Sequence, residues 1–168
     1  MTIRISRGVL QRILAHAAKE PGREVCGLLF ASNKSVRTER SRSAGHERAA
    51  CSPSFDFAQD ERITGTAETA NVAPDPSTTF EIDPAALFSA VRAERTGGPC
   101  ILGHYHSHPN GSATPSARDA AMAFQPGRLW LIVAAGEARM WREQSGGAMH
   151  GAFDPVELVV DGADDGCT

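Results

Sequence analysis

Three apolar runs limit what this chain can fold into: "EVCGLLFA" from Glu24, "CILGHYH" from Cys100 and "LWLIVAA" from Leu129. They are shorter than the ~10–12 residues a buried helix needs, and turn-forming residues punctuate the chain around them, so they read as strands. "ARMWRE" and "PVELVV" read as two more, the first lying opposite the Leu129 strand across a Gly-Glu turn. Helical periodicity lies between these runs. Ser6 can cap a helix that carries Val9, Leu10, Ile13, Leu14 and Ala17 on one face and stops at Pro21-Gly22. Asp83-Pro84 opens a second helix, with Leu87, Phe88 and Val91 as its apolar face, and "ARDAAMAF" forms a short third. "ITGTAETANVA" suggests a further strand with Ile63, Ala67 and Thr69 on one side, weakened by Gly65. Helices alternating with strands imply a mixed sheet flanked by helices, in the α/β (α+β) class.

The chain has 168 residues, enough for one sizeable core, and a single domain is expected over residues 1–160. From about 32 to 62 the composition turns to Ser, Arg, Glu, Ala and Gln without a sustained period, which suits a flexible insert. The acidic end, 161–168, is expected to fray. A formal charge of −3 leaves no electrostatic footprint for nucleic acid. No run approaches the ~18 apolar residues of a membrane span, and the first residues lack the apolar core of a secretion signal, so a cytoplasmic protein is expected. Cys26, Cys51, Cys100 and Cys167 form no C-x-x-C pair, and in a reducing compartment they are expected as free thiols.

The segment "GHYHSHPNGSATPSARD" carries the chemistry. Side chains at 104, 106 and 108 of an extended strand share a face, so His106 and His108 can place two imidazoles around one ion. Pro109 ends the strand, and Ser116 and Asp119 stand three positions apart at the opening of a helix. That spacing fits a capping box, and it also fits a third ligand arriving on a separate rigid element. Two histidines and a carboxylate suit a catalytic zinc, because the fourth tetrahedral position stays open for water.

His106-Ser107-His108, seven residues, then Ser116-x-x-Asp119 make the pattern H-x-H-x7-S-x-x-D, and "EVCGLLF" upstream supplies a glutamate at 24. These residues resemble the JAMM (MPN-plus) metallopeptidases, small stand-alone prokaryotic type, and "NVAPDPSTTFEIDPAALFSAV" looks like the segment this family carries before its histidines. The resemblance implies a mainly antiparallel, curved sheet of the cytidine-deaminase-like JAB/MPN architecture. It implies Zn2+ on His106, His108 and Asp119, Glu24 as general base and acid, and Ser116 as donor to the oxyanion. It also implies cleavage of a peptide or isopeptide bond at the C-terminal Gly-Gly of a ubiquitin-like or sulfur-carrier protein.

His104 departs from the family, which usually has an apolar or aromatic residue there. Positions 104 and 108 lie about 13 Å apart along a strand, so His104 is read as a neighbour of the site rather than a ligand. Tyr105 and Ser107 point to the other face, as packing or sheet hydrogen bonding. Cys26 and Cys100 read as small core residues, and Trp130 and Trp141 as core or edge aromatics rather than a binding platform. Two alternatives stay open: a catalytically silent MPN-fold binding or scaffold module, and a metal hydrolase of a small non-protein substrate. The second lacks the Pro-Cys-x-x-Cys half-site of the nucleoside deaminases, since Gly103 stands where the second cysteine would be.

Overall fold

The computed structural model describes residues 2–31 and 60–162. Along the chain these form β1 (Thr2–Ser6), α1 (Arg7–Lys19), β2 (Cys26–Ala31), β3 (Asp60–Ile63), β4 (Gly65–Thr69), α2 (Pro84–Arg95), β5 (Cys100–Ser107), α3 (Ala117–Met122), β6 (Leu129–Ala134), β7 (Glu137–Gly147) and β8 (Gly151–Asp161). The helix starts follow their caps: Ser6 accepts from the Val9 N–H at 3.3 Å, and Asp83 from the Ala85 N–H at 2.9 Å.

The eight strands make one sheet in the order β3-β1-β8-β7-β6-β5-β2-β4. The pairings β2–β4, β2–β5, β6–β7 and β7–β8 are antiparallel, whereas β1–β3, β1–β8 and β5–β6 are parallel. β3 and β4 stand at opposite ends of this order, yet Thr64 alone separates them in the chain, and its N–H donates to the Phe30 carbonyl at 2.9 Å. Adjacent residues can belong to opposite edges only if the sheet curls back on itself, so it is curved almost into a barrel.

Each face of the sheet has its own core. Ile3, Ile5, Val9, Ile13, Leu29, Tyr105, Leu131 and Met140 pack on the side that α1 covers. Cys26, Phe80, Trp130, Ile132, Trp141 and Phe153 pack on the other, with Ala120 and Met122 from α3. Gly103 lies on β5 where a Cβ would run into the Leu129 backbone, so a side chain there would push β5 and β6 apart.

Several expectations are corrected. Thr2–Ser6, not anticipated as a strand, pairs with both β3 and β8. Residues 60–62, assigned to the insert, pair with β1, and Asp161, assigned to the fraying tail, closes β8 opposite Ser6; 32–59 and 163–168 lie outside the described residues. The single strand expected at Ile63–Thr69 is two strands, because the chain turns at Thr64 from one sheet edge to the other. The face of α2 is not buried: Phe88 is 75% and Leu87 39% exposed. Cys26 is a free buried thiol, but Cys100 is disulfide-bonded, since sequence spacing says nothing about which sulfurs meet in space. Cys51 and Cys167 lie outside the described residues. Among the described residues, no helix is long and apolar enough to cross a membrane.

Candidate active site

β5 places His104 and His106 on the face of the Phe80–Trp130 core and Tyr105 on the α1 face, as strand alternation requires, and His108, one residue past the strand, lies against His106. The Tyr105 hydroxyl meets His16 Nδ1 at 2.8 Å, tying β5 to α1. β5 is hydrogen-bonded on both sides: His106 lies opposite Cys26 of β2 and Ile132 of β6. Past the strand end, the His108 N–H still donates to the Val133 carbonyl at 2.8 Å. Both imidazoles therefore rest on backbone that the sheet fixes.

Asp119 arrives on α3. Ser116 caps that helix: its hydroxyl accepts from the Asp119 N–H at 3.1 Å and donates to Asp119 Oδ2 at 2.7 Å, while the Ser116 N–H donates to the same oxygen at 2.6 Å. The capping box expected from Ser116-x-x-Asp119 is present, and it aims the carboxylate at the histidines rather than at solvent. Asp119 Oδ1 is 3.2 Å from His106 Nε2, and Oδ2 is 3.4 Å from His108 Nε2. The two Nε2 atoms are 3.0 Å apart.

Glu24 comes from the segment before β2 and is 7% exposed. One ligand atom each from Glu24, His106 and His108 lie within 4.8 Å of one another, so a glutamate 82 and 84 positions upstream of the two histidines joins them in one cluster. Four of the five residues singled out, Glu24, His106, His108 and Asp119, thus converge, and the fifth, Ser116, contacts Asp119 directly.

The electrostatics follow from burial and from this crowding. Burial pushes the Glu24 carboxyl up to about 7, against the pull of His108 and with the push of Asp119. Burial would raise Asp119 as well, but hydrogen bonds from His106 and His108 overcome it and hold the carboxyl far below the usual range. Burial lowers His106. Burial opposes protonation of His108 too, yet Asp119 and the Ser112 carbonyl raise it overall.

The donor set fits a metal cation. His108 Nδ1 lies 2.9 Å from the Ser112 carbonyl, an acceptor, so this nitrogen is the ring's donor and Nε2 keeps its lone pair for the cluster. Two imidazole nitrogens and a carboxylate then face one another at 3.0–3.4 Å. A divalent ion suits such a grouping better than protons do.

His104 is a neighbour of the site, as expected. Its ring meets Trp130 edge-on at 4.1 Å, and burial lowers its pKa to about 3, so it is neutral at ordinary pH. Ser107 serves the sheet, its hydroxyl accepting the Val25 N–H at 3.0 Å. Trp130 and Trp141 are buried, and each indole N–H is bound, to Glu143 at 3.1 Å and to the Ala113 carbonyl at 3.0 Å. Sequence reasoning missed Phe80, which stacks on His106 at 4.3 Å and 16°. The signal was present: a lone phenylalanine closing a turn-rich polar run, "PDPSTTF", has to bury somewhere.

Comparison with known proteins identifies the family and the fold. Residues 6–144 match the family described as prokaryotic homologs of the JAB domain. A Haloferax volcanii protein named desampylase is 32% identical over 124 residues, 71% of this chain and 71% of its own length. A Thermus thermophilus protein named as a probable TtuB-protein conjugate cleaving protease is 32% identical over 119 residues, 71% of this chain and 62% of its own length. The fold matches the solution structure of a Desulfitobacterium hafniense protein with a TM-score of 0.67 at 24% identity, over 95% of this chain and 92% of the other. With a curved mixed sheet, a histidine pair on its central strand and a family match over most of its length, the chain belongs to the prokaryotic homologs of the JAB domain, within the JAMM/MPN family.

Proposed function

We propose that this protein is a zinc-dependent hydrolase that cleaves the peptide or isopeptide bond after the C-terminal Gly-Gly of a ubiquitin-like or sulfur-carrier protein. The observation that carries this reading is the convergence of Glu24 with His106 and His108 within 4.8 Å, beside Asp119. The relatives named for desampylation and for cleaving protein conjugates support the substrate class.

His106, His108 and Asp119 would hold the metal. When bound, zinc supplies a Lewis acid that brings the pKa of water from about 15.7 to about 7. Glu24, with its carboxyl near 7, is matched to take a proton from water at neutral pH and return it to the departing amine. A carboxyl at the ordinary value would be a weaker base and a poor proton donor. The Ser116 hydroxyl donates a hydrogen bond to Asp119 Oδ2; rotation about its Cβ–Oγ bond would turn that donor toward the oxyanion of the scissile carbonyl. Cytoplasmic action belongs to the same reading. Fractionation of the native host tests it.

The test is metal content together with cleavage of a ubiquitin-like protein extended beyond Gly-Gly, for wild type and Glu24→Gln. Zinc is expected to be retained in both, with turnover in the variant down by ~10²-fold or more. A fully active variant, or activity without metal, overturns the mechanism. Wild type that binds zinc and cleaves no such substrate points instead to the silent binding module.

A further inference from the structure

Glu24 stands outside the regular ladder, since β2 begins only at Cys26. Its backbone is instead gripped from three sides. The Glu24 N–H donates to the Pro76 carbonyl at 2.6 Å, and the Glu24 carbonyl accepts from Asn71 Nδ2 at 2.8 Å. The following N–H, of Val25, goes to the Ser107 hydroxyl at 3.0 Å.

Asn71 is the hub of this clamp. Besides Glu24, its Nδ2 donates to the Thr79 carbonyl at 3.0 Å, while its Oδ1 accepts the N–H groups of Ala73 and Glu81, each at 3.0 Å. A side-chain amide has two N–H donors and one oxygen with two lone pairs, and here all are used. Three of the four bonds shape the loop from 73 to 81, which itself presents the Pro76 carbonyl to Glu24. The same loop ends at Phe80 against His106. Asparagine in a loop commonly bonds its own chain two residues on, as Asn71 does with Ala73. The bond to a residue 47 positions upstream is not part of that habit. A fully satisfied polar network of this kind holds one arrangement.

We propose that Asn71 is a positioning residue for Glu24: through the Glu24 carbonyl and the 73–81 loop it holds the carboxyl beside His106 and His108, where it would meet the water it deprotonates. The inference rests on Glu24 being the proton carrier. Asn71 itself touches neither histidine nor Asp119, and its loop reaches His106 only through the Phe80 ring, whereas it bonds the Glu24 carbonyl directly, so its loss falls first on proton transfer and zinc content is the readout that separates the two. A misplacement of about 1 Å at a reacting group costs ~10²-fold in rate.

The test uses full-length, zinc-loaded Asn71→Asp beside wild type and Glu24→Gln, with a ubiquitin-like protein carrying a peptide extension after Gly-Gly as substrate. Aspartate keeps the size and both acceptor bonds, and removes the donors to Glu24 and Thr79. The expected result is a kcat lower by ~10- to ~10²-fold, KM within about twofold, and zinc retained. If Glu24→Gln is inactive while Asn71→Asp turns over like wild type, this inference alone fails. It also fails if the loss appears in KM only, or together with loss of zinc. Full activity of Glu24→Gln, or no cleavage by wild type, removes both this inference and the reading beneath it. Should Asn71→Asp not fold, Asn71→Ala is read the same way; if neither folds, Asn71 serves the fold rather than Glu24 and the inference is overturned.

Discussion

His106 and His108 leave a central strand that is paired on both sides, whereas Glu24 precedes the strand that should carry it and depends on side chains for its place. Asp119 belongs with the histidines: a capping box within its own helix sets its direction. One limb of the site is therefore built from local rules, alternation along a strand and a four-residue cap. The other is assembled by bonds spanning 47 and 82 positions. The first limb suits holding an ion, which requires fixed distances. The second suits a group that must exchange a proton, and its burial is what brings the carboxyl to about 7.

Damage to the two limbs therefore has different signatures. The largest effect is expected for Asp119→Asn. Its Oδ2 now receives the Ser116 N–H and hydroxyl, and both oxygens face imidazoles. An amide carries no charge for a cation and turns a donor toward one partner or another. Metal is expected to be lost, and cleavage with it to background, by metal analysis after gel filtration. Glu24→Gln, in contrast, keeps its metal. An Asp119→Asn variant that retains full zinc removes the distinction between limbs.

Ser116→Ala gives an intermediate effect, because Ser116 serves both the cap and, in the proposed reaction, the oxyanion. Loss of an N-cap costs about 1 kcal/mol. A lost oxyanion donor costs ~10²- to ~10³-fold in turnover. The expected outcome is a thermal midpoint lower by about 2–4 °C and a kcat lower by ~10²-fold, with zinc present. A fall in stability with turnover unchanged would leave Ser116 as a cap alone.

How far the sequence shows this division follows from the range of the interactions. The placement of the histidine limb was legible, because strand period, Pro109 and the Ser116-x-x-Asp119 cap are patterns over a few residues. Glu24 was found only through the resemblance; nothing local to "REVCG" distinguishes a buried base from a solvated edge glutamate. Asn71 was invisible for the same reason, its decisive partner lying 47 residues away. The fold shows a similar boundary. β2, β5 and β6 were readable as apolar runs, but Thr2–Ser6 merged with the helix that follows it. The turn at Thr64, which sends β3 and β4 to opposite edges, depends on closure of the whole sheet. The apolar stripe of α2 was a correct helix signal and a wrong burial signal, since period sets the face and tertiary structure decides whether anything covers it.

The smallest effect tests the environment of Glu24 without any catalysis, in metal-free protein. Its carboxyl titrates near 7 in the folded chain against an ordinary value of 4.5. Between those two values the folded state holds a proton that the unfolded state has released, so stability falls as pH rises through this window. Below it both states are protonated, and above it both are ionised with the full cost present. Glutamine has no charge to bury and escapes that cost. Glu24→Gln should therefore gain thermal stability over wild type at pH 8, by about 2–6 °C once partial solvation is allowed for, and gain little at pH 5. Melting curves of both chelated proteins at the two pH values give the comparison directly. An equal shift at both would mean that Glu24 titrates normally. In that case the far limb of the site does not tune its carboxyl, and the clamp around Asn71 holds the backbone without creating the buried environment that the proton-transfer role requires.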